Sequence, residues 1–334
     1  MASSSPSPLL VSPTMAEDLA KVEVELRESV RTEDAFLTEV ASHLILAGGK
    51  RIRPGFTLAS SFALDTEARA ASREVIMGAV SVELVHLGSL YHDDVMDDAA
   101  TRRTVDSVNA RWGNLKAILA GDFLLAKASE IAAALGTEVA GLLANTIARL
   151  CEGQVRELQD AYNIDRTARH YFASIEGKTA ALLGTACRIG GIVAELPRPL
   201  IDTLTAFGRC YGMAFQVVDD ILDIVSTDEE LGKPSGNDLV EGIYTLPVLH
   251  TLESPDGPRL RLLLGDKLDA DDRDTARAMV RANGGIDAAL VVARDFAAQA
   301  AEALEPLEGT VAAASLGAAA KHLIAKVAAA AAAP

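Results

Sequence analysis

Apolar residues recur along this chain at helical rather than strand spacing. Leu19 to Leu46 mixes apolar and charged residues as one helical region, closed by Gly48-Gly49. Val75 to Tyr91 is apolar on nearly every side (Val75, Ile76, Val80, Val82, Leu84, Val85, Leu87, Leu90). A helix that is hydrophobic all round belongs inside a protein. Further helical stretches run over 112–135, 139–159, 171–196 and 200–225. The stretch 228–242 breaks the pattern with Gly232, Pro234, Gly236 and Gly242, and its length makes it a candidate functional loop. Helices resume afterwards, with a turn at Ser254–Pro258. No strand, repeat or internal linker is evident. One large all-α domain over residues 17–334 is expected, behind a disordered Ser/Pro-rich tail at 1–16.

Composition agrees. Apolar residues make up 49% of the 334 but aromatics only 4%, a mix that favours helix over sheet. The formal charge of −16 argues against nucleic acid as a partner. Cys151, Cys187 and Cys210 are odd in number and widely spaced, so they suggest neither zinc nor disulfides, and a cytoplasmic setting is expected. The N-terminus lacks the order of a signal peptide. The alanine-rich C-terminus looks too short and too weakly hydrophobic to span a membrane, so no integral membrane segment is expected.

Candidate chemistry lies in two acidic clusters. Leu90-Tyr91-His92-Asp93-Asp94-Val95-Met96-Asp97-Asp98 sets carboxylates directly after the apolar helix. Asp93 and Asp97 share one helical face, where unpaired like charges cost about 0.2–0.5 kcal/mol even in the open. The spacing recurs in Asp219-Asp220-Ile221-Leu222-Asp223. Acids ordinarily favour helix N-termini, yet both clusters extend long apolar runs. Each could be a solvated helix end. Two hard-oxygen clusters without His or Cys instead suit Mg²⁺, which takes one or two carboxylates with water and phosphate oxygens.

Basic groups stand out in so acidic a chain. Lys50 and Arg53 lie in Gly48-Gly49-Lys50-Arg51-Ile52-Arg53-Pro54, and Arg102-Arg103 follow the first cluster. All four suit phosphate oxygens. Arg51 reads as a solvated surface residue. Lys178 follows Gly177, and Lys233 sits in the glycine-bearing loop. His86 is two turns before Asp93 on the same face, and is either a core histidine or a site residue. Gln216 precedes Asp219 by three residues.

Taken in order, these motifs resemble the trans-isoprenyl diphosphate synthase (polyprenyl synthetase) family. The resemblance runs from about residue 43 to 250. It rests on GGKRIRP at 48–54, Glu83-Leu84-Val85-His86, Asp93–Asp97, Arg102-Arg103 and Ala120-Gly121-Asp122. It continues with Gly177-Lys178-Thr179, Phe215-Gln216, Asp219–Asp223, Gly232-Lys233-Pro234 and Gly236-Asn237-Asp238-Leu239.

The resemblance implies a helical bundle around a central cavity faced by both clusters, usually as a homodimer. It implies a Mg²⁺-dependent enzyme, with three ions when substrate is bound, that adds isopentenyl diphosphate to an allylic diphosphate. Asp93, Asp97, Asp219 and Asp223 would ligate metal. Arg102, Lys178, Thr179, Gln216 and Lys233 would hold the allylic diphosphate, and Lys50, Arg53, His86 and Arg103 isopentenyl diphosphate. Gly88 stands five residues before Asp93, where short-chain members often carry a bulky aromatic stop. Gly88 and Ser89 would leave the tail's path open, unless Gly88 serves close helix packing. With Ile243 where short-chain members often have lysine, an all-trans product of heptaprenyl length or above is expected. A geranylgeranyl product follows instead if Leu84 closes the path. Thr104 departs from the glycine that often follows the arginine pair. A terpene cyclase or a non-catalytic partner subunit would be expected to lack one of the two aspartate motifs, and both are intact.

Overall fold

The computed structural model describes Leu9, residues 13–227 and residues 235–332. Their order is α1 (Pro13–Ser29), α2 (Ala35–Leu46), α3 (Ile52–Ser60), α4 (Arg73–Met96), β1 (Thr101–Arg102), β2 (Val105–Asp106), α5 (Val108–Trp112) and α6 (Asn114–Ala134). Then come α7 (Thr137–Gln159), α8 (Ala168–Ile175), a π-helical turn (Glu176–Ala180), α9 (Ala181–Val193) and α10 (Arg198–Val225). The remaining helices are Asn237–Val240, Leu246–Leu252, Gly257–Arg261, Ala270–Ala282, Gly285–Ala303 and Val311–Ala331, with a 3₁₀ turn at Glu305–Leu307. The all-α expectation holds, apart, among the described residues, from one antiparallel pair, Thr101 opposite Asp106 and Arg102 opposite Val105.

The helical region expected over 19–46 comprises two helices, α1 and α2. The Asp34 carboxylate accepts the N–H groups of Phe36 and Leu37 and so starts α2, as an N-cap does. Within the stretch expected to be a disordered tail, α1 begins at Pro13, and Leu9 and Met15 are buried.

The described chain divides into two compact units. The first comprises 1–147, 182–208 and 303–319. Here α4 packs on α1, α3 and α6. Val80, Val82, Leu84, Val85 and Leu87 lie on different sides of α4 and are all fully buried, which explains its apolar circumference. The Tyr91 hydroxyl donates to the Val40 carbonyl at 2.7 Å and ties α4 to α2. The second unit comprises 148–181, 209–302 and 320–334. In it Leu246–Leu252 packs on α8, Gly257–Arg261 and Ala270–Ala282.

Among the described residues, two helices are long and apolar enough to cross a membrane by length and composition, α4 and Val311–Ala331. The second, at the C-terminus expected to be too short and too weakly hydrophobic, meets this measure of length and composition, as the core helix of a soluble protein also can. Burial of Ala312, Leu316, Ala319, Leu323 and Val327 commits one of its faces to the protein interior. In α4, 72% of the apolar window is buried.

Arg51 also overturns its expected surface placement. It adopts left-handed φ of 46° immediately before α3 and is only 5% exposed. Its guanidinium donates to Glu83 Oε1 at 2.8 Å, to the Ile45 carbonyl at 3.0 Å and to both oxygens of Glu23. Burial opposes the charge, but the two carboxylates outweigh it and the guanidinium is held above its ordinary pKa. Removing one partner of a buried ion pair strands the other. Arg51→Met should therefore lower unfolding free energy by about 3–5 kcal/mol in urea melts. A variant as stable as the parent would contradict this role.

Candidate active site

In the first unit the acidic cluster forms the last turn of α4. The Asp97 N–H closes it by donating to the Asp93 carbonyl at 2.9 Å. Consecutive helix residues diverge by about 100°, so Asp93 and Asp94 meet different surroundings. Asp93 is half-exposed and Asp97 exposed. Asp94 is fully buried and accepts Arg102 Nε at 2.6 Å and Nη2 at 2.5 Å on one oxygen. Burial pushes the Asp94 carboxyl above the usual range, against the pull of Arg102. Arg102, expected to hold a diphosphate, is thus committed to Asp94 in this structure.

The basic box lies in the same unit. Arg103 donates to the carbonyls of Leu44 (3.1 Å) and Gly48, and its Nη2 lies 3.9 Å from Glu83. Glu83, itself buried, therefore faces two guanidinium groups, those of Arg51 and Arg103. Gly49 has a φ of 154°, which side-chain-bearing residues rarely adopt, and a Cβ there would stand 3.0 Å from the Arg103 guanidinium. Arg103 and Thr104 form the two-residue β1–β2 turn, both with positive φ (53° and 66°). That backbone favours glycine, and a β-branched residue is strained in it. Lys50 is exposed and Arg53 half-buried. Removal from water, with Arg53 and Arg103 nearby, pushes the half-buried His86 well below its ordinary pKa and keeps it neutral.

Of the residues expected to set product length, Gly88 meets α6. A Cβ there would lie 3.1 Å from the Gly121 carbonyl oxygen and 3.1 Å from Leu125 Cγ. Close helix packing therefore accounts for Gly88. Leu84 is fully buried and Ser89 half-buried, with its hydroxyl donating to the His86 carbonyl at 2.8 Å.

In the second unit the cluster at the end of α10 repeats the division of labour. Asp219 is exposed, Asp220 and Asp223 buried. Asp220 Oδ2 accepts the Tyr171 hydroxyl at 2.6 Å, and Oδ1 accepts Gln216 Nε2 at 2.9 Å. Burial, with Asp219 and Glu157 nearby, raises the Asp220 carboxyl to about 7 against these two hydrogen bonds. Asp223 holds the chain that follows: its Oδ2 accepts the Asp238 N–H at 3.3 Å and its carbonyl the Gly236 N–H at 2.8 Å.

Lys178 and Thr179 occupy the π-helical turn Glu176–Ala180. Such bulges often mark functional positions. Gly153 and Gly177 let it lie against α7, since a Cβ on Gly153 would sit 2.5 Å from the Lys178 nitrogen. Lys178 pairs with the buried Glu157, and Thr179 Oγ1 donates to Gln216 Oε1 at 2.6 Å. Tyr171 and Glu157 were not read from sequence. The available signal for Tyr171 was its place seven residues, two helical turns, before Lys178. Lys233 falls outside the described residues.

The donor sets fit a hard divalent cation. All the candidate ligands, Asp93, Asp97, Asp219 and Asp223, are carboxylates, and of these Asp93 is half-exposed and Asp97 and Asp219 are exposed. Among the described residues no three His, Cys, Asp or Glu side chains gather into a ready-made metal cage. Mg²⁺ is commonly held by one or two carboxylates, its remaining positions filled by water and substrate phosphate.

The family model for polyprenyl synthetase matches residues 34–281. The chain is 42% identical over 288 residues to a nonaprenyl diphosphate synthase of Mycobacterium tuberculosis, covering 84% of each. It is 44% identical over 241 residues to heptaprenyl diphosphate synthase component 2 of Geobacillus stearothermophilus, covering 71% of this chain and 73% of that one. A polyprenyl synthase of Caulobacter crescentus, solved with calcium and isoprenyl diphosphate, superposes with a TM-score of 0.88 at 30% identity, over 97% of this chain and 98% of that one. Ordered motifs, helical fold and relatives agree, and this chain belongs to the polyprenyl synthetase family of prenyltransferases.

Proposed function

We propose that this enzyme extends an allylic diphosphate with isopentenyl diphosphate to an all-trans product of heptaprenyl length or longer. The observation that carries the reading is the turning outward of Asp93 and Asp219 while their neighbours Asp94 and Asp220 are buried and held. Asp93, Asp97, Asp219 and Asp223 are the proposed ligands of Mg²⁺, three ions with substrate bound. When bound, Mg²⁺ supplies charge neutralisation to the departing diphosphate.

The chain's own residues do the rest. Lys178, Thr179 and Gln216 hold the allylic diphosphate, aided by Lys233 and, once released from Asp94, Arg102. Fixed donors aimed at developing charge stabilise it without reorganisation. Lys50, Arg53, Arg103 and neutral His86 hold isopentenyl diphosphate so that its double bond meets the allylic carbon as the C–O bond breaks. Holding both reactants in line removes much of the entropic barrier. Buried apolar side chains on α4 keep water from the cation. A proton is then lost from the new chain to the released diphosphate.

The proposed length rests on Ser89 and on the hepta- and nonaprenyl synthases among the relatives. A cytoplasmic setting fits the three free cysteines. A homodimer would cover Leu115, Ile118 and Leu119, which are 79%, 41% and 65% exposed on α6. The word "component" in one relative's name raises a second subunit as the other partner.

Incubation of the purified chain with Mg²⁺, farnesyl diphosphate and isopentenyl diphosphate should give linear diphosphates of seven or more prenyl units. Cyclic hydrocarbon, or no turnover, would defeat the proposal. Asp93→Asn should lower kcat by roughly 10²–10³ with an unchanged melting curve; near-normal turnover would remove Asp93 from the machinery. Ser89→Phe should shorten the product while turnover persists, and an unshifted distribution would exclude position 89 from the tail's path. Sedimentation should find a dimer that Leu119→Glu converts to monomers; a parent that sediments as a monomer would refute the dimer.

A further inference from the structure

Inside the second unit, one chain of hydrogen bonds runs from a buried tyrosine to the π-helical turn. Tyr171 is 1% exposed. Its hydroxyl donates to Asp220 Oδ2 at 2.6 Å, Gln216 Nε2 donates to Asp220 Oδ1 at 2.9 Å, and Thr179 Oγ1 donates to Gln216 Oε1 at 2.6 Å. The Arg166 guanidinium lies 5.6 Å from the centre of the Tyr171 ring and is tethered to the Tyr244 carbonyl at 3.0 Å. Phe172, next in α8, stacks edge-on against Tyr171 at 5.3 Å. The tyrosine is therefore fixed by its ring as well as by its hydroxyl.

The chemistry of each link dictates the next. A primary amide presents oxygen on one side and NH₂ on the other, and nothing in its shape chooses between them. In the ionised form, which the hydrogen bonds from Tyr171 and Gln216 favour, a carboxylate only accepts. Asp220 therefore forces the NH₂ of Gln216 toward itself and the carbonyl toward Thr179. The Thr179 hydroxyl, with one proton to give, is held in the rotamer that meets that carbonyl. Asp220 can do this only while its own plane is fixed, and Tyr171 fixes it from the far side.

We propose that Tyr171 is a positioning residue for the allylic diphosphate, acting through Asp220 and Gln216 on Thr179. The inference rests on the reading that Thr179 and Gln216 hold that diphosphate. It assigns the buried second aspartate of this cluster a task separate from metal ligation. Tyr171 touches neither substrate. Its loss should loosen the geometry of one substrate site and leave the other alone.

Steady-state kinetics on the full chain with Mg²⁺ test this, varying farnesyl diphosphate and isopentenyl diphosphate in turn. Tyr171→Phe removes one oxygen and keeps the ring. It should raise KM for farnesyl diphosphate about tenfold, the effect of a lost hydrogen bond to a charged group, with KM for isopentenyl diphosphate within about twofold. In a double-mutant cycle, Tyr171→Phe with Thr179→Val should be no worse than Thr179→Val alone, because both cut one relay. Equal rises in both KM values, additive penalties, or a lowered melting temperature with unchanged KM would overturn the relay. If Tyr171→Phe does not accumulate as folded protein, Asp220→Asn takes its place. An amide there offers donor and acceptor alike and no longer dictates the orientation of Gln216, so the same split is expected and its absence counts against the relay. A parent chain that fails to elongate at all would remove the underlying site reading instead, and with it the inference.

Discussion

A carboxylate taken out of water must find partners, and that constraint shapes both acidic clusters. Adjacent aspartates on a helix point about 100° apart. If one faces solvent, its neighbour faces the interior. Burying that neighbour unpaired would cost several kcal/mol, so each cluster supplies a clamp. Asp94 takes Arg102. Asp220 takes Tyr171 and Gln216. Each clamp fixes the last turns of an otherwise apolar helix and so sets the direction of Asp93 and Asp219. Outward carboxylates of this kind are hard oxygen donors of the type that Mg²⁺ takes with water and phosphate oxygens.

The basic box follows the same rule with the signs reversed. Glu83 is the buried carboxylate of α4, and Arg51 and Arg103 gather round it. Arg51 is a structural cation in a run otherwise read as phosphate-binding. Its left-handed backbone and double ion pair secure the start of α3, which carries Arg53. Lys50, one residue earlier, stays exposed. Alternation between a buried anchor and an outward charge thus recurs in the two acidic motifs and in the basic one.

Much of this was legible in the sequence because the signals were local. Helical periodicity located the long helices, and the i, i+4 aspartates fell on helix ends as expected. Motif order pointed to the family. What was not legible depends on burial. Nothing in Lys50-Arg51-Ile52-Arg53 distinguishes the interior arginine from the outward ones, since its partners are 28 and 32 residues away. The engagement of Arg102 with Asp94 is equally hidden, because it arises only when the β1–β2 turn folds back. The break at Asp34 was missed because apolar spacing continues through it while a capping carboxylate ends the helix register. Gly88 admitted two readings from sequence, and the approach of α6 to within contact of its missing side chain supplies the packing reason. Tyr171 lay unnoticed among apolar residues, where only its partner reveals its use.

These details support one account: buried Asp94 and Asp220 orient the two clusters, and Asp93, Asp97, Asp219 and Asp223 take a metal-bound diphosphate. Calorimetric titration of the full chain with farnesyl thiodiphosphate, an unreactive allylic analogue, tests this directly when run with Mg²⁺ and again in chelator. The account predicts a saturable binding heat with Mg²⁺, its near-complete loss in chelator, and its recovery when Mg²⁺ is restored. Binding of equal strength without divalent cation would contradict it.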